Sequence, residues 1–103
     1  MILCNSFSLN MLASLPAQPA FRELTLEEVR TVLAAGFQSA VGHADTAAVF
    51  QDVLGLEVTA VRATLQLQTG QEAIIGQYRG PRLPEGCKIL PDGAAIQWVH
   101  LTV

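Results

Sequence analysis

The chain has 103 residues, half of them hydrophobic, and a formal net charge of -3 from six basic and nine acidic side chains. That length builds one domain with a real core and no second one, so residues 1–103 are read as a single unit. Six Lys and Arg side chains cannot make the cation surface that grips long nucleic acid by counterion release. No apolar run approaches the roughly 18 residues of a spanning helix, which excludes a membrane partner of that kind. With 15% charged residues the exterior is short of polar cover, so a homodimer that hides apolar surface is expected.

Met1 to Cys4 is a short apolar run ending at Asn5-Ser6, the pattern of a buried strand entering a loop. The start MILCNSFSL has neither a basic n-region nor a sustained apolar run, and the chain is expected in the cytoplasm. Cys4 and Cys87 match no zinc or redox spacing and are expected as buried filler. Met11 to Leu15 allows a helical turn before Pro16 and Pro19, and Phe21 to Leu24 a short extended piece.

The spacing predicts a helix from Leu26 to about Ala35. Thr25 and Glu28 stand at capping-box positions, Leu24 and Val29 at those of the hydrophobic staple, and Leu26, Val29 and Leu33 form the apolar stripe. Gly36 supplies its left-handed end. Phe37 to Val41 reads as a buried strand, followed by Gly42-His43 and a helix from about Asp45 to Leu54 closed by Gly55. Val58 to Leu67 and Glu72 to Tyr78 are β-rich runs on either side of a turn containing Gly70, and are expected to pair as a hairpin. Gly80 to Gly86, GPRLPEG, is too rich in proline and glycine for helix or central strand. Ala94 to Val103 alternates as a closing strand, for an α+β domain of about five strands and two or three helices.

His43 falls where a strand meets a helix start. Free N–H groups, a positive dipole end, the absent side chain of Gly42 and the hydroxyl of Thr46 suit an anion there, and an imidazole can hand a proton to an oxygen leaving phosphorus. Taken alone, His43 reads first as a helix cap or a packing residue. The loop Arg82-Leu83-Pro84-Glu85 turns the balance, since a guanidinium and a carboxylate on one rigid turn can clamp phosphate and orient an imidazole. Asn5, Ser8 and Asn10 either read a base or ribose or simply form turns, and Arg62 is a phosphate contact or an outward strand residue. His100, in an alternating tail with no acid or glycine beside it, is read as structural. No metal spacing, GxSxG or P-loop occurs, so no metal or cofactor is expected.

Asn5-Ser6-Phe7-Ser8-Leu9-Asn10-Met11, Gly42-His43 with Thr46, Gly55, Val61-Arg62 and Arg82-Leu83-Pro84-Glu85-Gly86 with Lys88 resemble, in order and spacing, the viral anti-CRISPR ring nuclease family. The resemblance spans nearly the whole chain. It implies a homodimer with a mixed sheet flanked by helices, binding cyclic tetra-adenylate, the second messenger of type III CRISPR defence, across the two-fold axis. By that likeness His43 is the general acid, Glu85 its supporting carboxylate and Arg82 a contact to the ring, while Asn5, Ser8, Asn10, Thr46 and Arg62 line the pocket. The implied reaction is metal-independent: a ribose 2′-hydroxyl attacks phosphorus, and two cuts give linear di-adenylate ending in a 2′,3′-cyclic phosphate. A host-cell cytoplasm is implied if the chain is virus-encoded. The alternative is a protein that sequesters the ring without cutting it. Asp45 departs from the pattern by placing an acid near the expected anion site.

Overall fold

Local chemistry and burial sort the chain into five strands and two helices. The computed structural model describes all 103 residues: β1 (Ile2–Cys4), a 3₁₀ turn (Leu9–Met11), β2 (Ala20–Leu24), α1 (Leu26–Ala34), β3 (Gln38–Ala40), α2 (Ala44–Leu54), β4 (Glu72–Arg79) and β5 (Ala95–Thr102). The strands form one mixed sheet in the order β2-β5-β4-β1-β3. β1 runs parallel to both β3 and β4, while β5 is antiparallel to β4 and β2. The radius of gyration, 13.3 Å, is that of one compact unit of this length, as expected. No helix is long and apolar enough to cross a membrane.

α1 starts as its capping box dictates. Thr25 Oγ1 accepts the Glu28 N–H at 3.1 Å and Glu28 Oε1 accepts the Thr25 N–H at 3.0 Å, while the staple residues Leu24 and Val29 are both buried. The Thr25 N–H, and more weakly the Arg22 guanidinium, hold the Glu28 carboxyl below the usual carboxylate range. α2 begins at Ala44, one residue before the expected start, and stops at Gly55, whose φ of 69° is the left-handed cap that glycine adopts without strain. The Arg30 guanidinium donates to the Val53 carbonyl at 2.6 Å, tying α1 to the end of α2.

Strand alternation divides the core between the two faces of the sheet. Leu3, Ile74 and Trp98 face the helices and pack with Val29, Leu33, Phe50 and Leu54. Cys4, Ala73, Ile75 and Leu101 face the other way, where Phe7, Met11, Leu65 and Leu67 from irregular segments cover them. α2 packs on the sheet through Phe50, whose ring centroid lies 5.1 Å from that of Trp98. Gly76 on β4 makes this approach possible, because a Cβ there would stand 2.6 Å from Phe50 Cζ and 2.6 Å from Trp98 Cζ3.

Three sequence expectations need correction. Val58 to Leu67 does not pair with β4 as a hairpin, because β1 and β5 already occupy both edges of β4. The segment instead runs irregularly and is tacked down by single bridges, Ala60 to Val41 and Leu67 to Leu12. The helical turn expected at Met11 to Leu15 sits earlier, at Leu9–Met11, where the Met11 N–H bonds to the Ser8 carbonyl at 3.0 Å. The strand expected over Phe37 to Val41 narrows to Gln38–Ala40, the length that the three residues of β1 can pair.

Gly76→Ala is expected to destabilise the fold by about 2 kcal/mol, the scale of overpacking in a filled core, with a fall in Tm of roughly 10 °C. A differential scanning measurement that finds Tm unchanged contradicts the tight aromatic seat.

Candidate functional site

β1 and β3 are parallel neighbours, so both deliver their carboxyl ends to the same edge of the fold. From there the chain departs in opposite directions. After β1 it crosses the helix-free face, where Phe7 and Met11 join the packing, and after β3 it turns to the helical face through Ala47 and Phe50 of α2. Divergent exits from adjacent parallel strands leave a crevice beyond the strand ends, the usual place for a ligand in open sheets.

A cavity of about 320 Å³ lies there. Asn5, Ser6, Ser8, Asn10 and Met11 form one wall, Ala40, Gly42 and His43 the second, Ala63, Thr64 and Leu65 the third, and Cys4 also lines it. The two exits are bonded across the top: the Gly42 N–H donates to Asn5 Oδ1 at 3.4 Å. Asn5 therefore sets the path of the backbone that carries His43. The third wall is fixed by the Ser39 hydroxyl donating to the Thr59 carbonyl at 2.6 Å and the Val61 N–H donating to the Val41 carbonyl at 2.8 Å.

His43 occupies the cap position of α2 with extended backbone (φ -124°, ψ 131°), makes no side-chain capping bond and is exposed. It is neither a core histidine nor a cap by its ring, and its imidazole is free to meet a ligand at the mouth of the cavity. The backbone N–H groups of the first turn of α2 stand beside it, with the positive end of the helix dipole.

Asn5, Ser8, Asn10 and His43 thus converge on one cavity. Arg82 and Glu85 do not line it. They border a separate depression with Leu83, Pro84 and Asp45, and no ion pair joins Arg82 to Glu85. Asp45 accepts the Gly86 N–H on Oδ1 at 3.3 Å, so its carboxylate faces the loop. Thr46 is half-buried in the first turn of α2, and Arg62 is exposed just before the third wall. Both lie beside the cavity without lining it. Thr64 and Ser6 were missed from sequence: Thr64 stood inside a run taken for a strand, and Ser6 beside more conspicuous amides. His100 Nε2 lies 2.9 Å from Glu72 Oε1 in a contact between β5 and β4, and neither residue lines the cavity.

The chain belongs to the STIV B116-like family, whose model matches residues 1–93. Among solved structures it is similar to B116 of Sulfolobus turreted icosahedral virus. That likeness has 26% sequence identity and a TM-score of 0.82, and covers 99% of this chain and 97% of that one. No curated protein matches the sequence.

Burial pushes the Cys4 thiol from 9.0 up to about 11, an effect that the backbone at Ser6 only partly opposes. Cys87 is half-buried rather than a core residue. Since the thiolate is the nucleophile, the shift alone lowers the reactive fraction of Cys4 about a hundredfold. Iodoacetamide at pH 8 is expected to label Cys87 first and Cys4 only on unfolding, as followed by peptide mass spectrometry. Equal labelling rates in the native protein contradict this.

Proposed function

We propose that the chain is a metal-independent ring nuclease that binds cyclic tetra-adenylate and cuts it to linear di-adenylate ending in a 2′,3′-cyclic phosphate. The observation that carries this reading is the exposed, uncapping imidazole of His43 at a helix start, on the rim of a cavity lined by short polar side chains. The kinship with an archaeal virus protein accords with the likeness to viral anti-CRISPR ring nucleases.

The chemistry needs little from the protein because RNA carries its own nucleophile. Holding a ribose 2′-hydroxyl in line with phosphorus supplies orientation, and one acid serves the departing 5′-oxygen. His43 donates that proton as the bond between phosphorus and the 5′-oxygen breaks, and the proton of the attacking 2′-hydroxyl passes to solvent. Ser8 and Asn10 offer hydrogen bonds to ribose and base edges, and Asn5 holds the Gly42 backbone beside them. Thr46 and Arg62 add a hydroxyl and a cation at the margins. Arg82 contacts the ring and Glu85 supports the imidazole once substrate spans the gap between the two depressions.

A ring of four identical nucleotides is two-fold symmetric, and a homodimer meets it with two copies of each group. Leu9, Leu15 and Phe21, respectively 72%, 72% and 52% exposed, are apolar surface that an assembly would cover. The reaction belongs in the cytoplasm, that of the host if the gene is viral. The separation of Arg82 and Glu85 from the His43 cavity favours a second reading, a protein that sequesters the ring uncut.

Purified protein in excess chelator is expected to convert cyclic tetra-adenylate to di-adenylate cyclic phosphate, resolved by chromatography, and to leave a 2′-deoxy ring intact. His43→Ala is expected to slow cleavage at least about a hundredfold, the span of general acid catalysis, while still binding the ring. Unchanged turnover in that variant rejects the role of His43. Tight calorimetric binding with no product moves the assignment to sequestration, and absence of heat rejects both.

A further inference from the structure

The fifteen residues between β4 and β5, Gly80 to Ala94, carry Arg82 and Glu85 and have very little holding them down. Their base is tight. The Tyr78 hydroxyl donates to the Pro81 carbonyl at 2.6 Å, and a Cβ on Gly80 would stand 2.8 Å from that of Ala94. Within the loop the Cys87 N–H bonds to the Pro84 carbonyl and the Ala94 N–H to the Pro91 carbonyl. Beyond the two strands it joins, a single hydrogen bond leaves it: the Gly86 N–H to Asp45 Oδ1, at 3.3 Å.

Both ends of that bond are specialised. Gly86 has a φ of 78°, a conformation that other residues adopt only with strain, and it aims the N–H at the helix. Asp45 stands in the first turn of α2, two residues after His43, and shares a depression with Arg82, Leu83, Pro84 and Glu85. An acid at this place opposes any anion approaching the helix start. The helix dipole and a charge-assisted hydrogen bond to the loop offset that cost.

We infer that Asp45 is a positioning residue, whose carboxylate latches the Arg82–Gly86 loop to the first turn of α2 and thereby sets Arg82 and Glu85 relative to His43. The inference rests on the ring-nuclease reading of the site. It separates two properties of Asp45, since Asn keeps the oxygen that accepts the Gly86 N–H but sheds the charge, whereas Ala loses both.

The test compares Asp45→Asn, Asp45→Ala and the unaltered protein, by amide exchange at Gly86 without ligand and by steady-state cleavage of cyclic tetra-adenylate. Asp45→Ala is expected to lose protection at Gly86 alone and to lower kcat roughly tenfold, the rate equivalent of one hydrogen bond. Asp45→Asn is expected to keep Gly86 protected and kcat within about twofold, with a lower KM because the repulsion is gone. Unchanged Gly86 exchange in Asp45→Ala overturns the latch. So does protection lost across α2 and the sheet, which marks a general stability effect, or equal kcat in the two variants. If the unaltered protein leaves the ring intact, the ring-nuclease reading fails instead, and the role in setting Arg82 and Glu85 for cleavage falls with it; Gly86 exchange then decides separately whether the bond orders the loop.

Discussion

The seat of Phe50 on Gly76, beside Trp98, governs where everything else can be. A helix lies close to a sheet only where the strand beneath offers space, and β4 offers it at one glycine. With that contact made, α2 has one position on the helical face, and only Val41, Gly42 and His43 link its first residue to the end of β3. The histidine at that junction is then carried to the edge of the sheet with its ring unengaged. A shift of α2 by a turn would move it about 5 Å, away from its place on the cavity rim.

The opposite wall has a different origin. β1 ends after three residues, and the chain that leaves it folds over the helix-free face through Phe7 and Met11. Its polar residues, Asn5, Ser8 and Asn10, line the cavity beside the exit of β3 while Phe7 and Met11 anchor the segment in the packing. One side chain, Asn5, closes the gap by accepting the Gly42 N–H. Structural and ligand-facing duties are thus shared among neighbours rather than given to separate regions.

Much of this was legible because it is local. Both ends of α1 and the carboxyl end of α2 followed from Thr25, Glu28, Gly36 and Gly55, whose side chains or lack of them act within one turn. The β-rich run of β4, the alternation of β5 and the proline-bound loop after Gly80 were equally plain. The segment from Val58 to Leu67 misled because β-rich composition reports only that a run could pair, whereas pairing needs a vacant edge. β4 had none, since β1 arrives from the far end of the sequence to occupy it. The same non-local fact hid Thr64, whose place in the cavity depends on that segment passing as a wall. The gap between His43 and the Arg82–Glu85 pair was likewise invisible, since spacing along a chain does not measure distance between loops.

The hollow itself owes its existence to connectivity: two neighbouring strands end together and their continuations part company across the sheet. Ser8 and Asn10 are exposed, and exchanging such residues ordinarily alters stability by less than about 0.5 kcal/mol. What the crevice holds can therefore drift from lineage to lineage while the scaffold stays as it is, much as a drawer keeps its shape whatever is put inside.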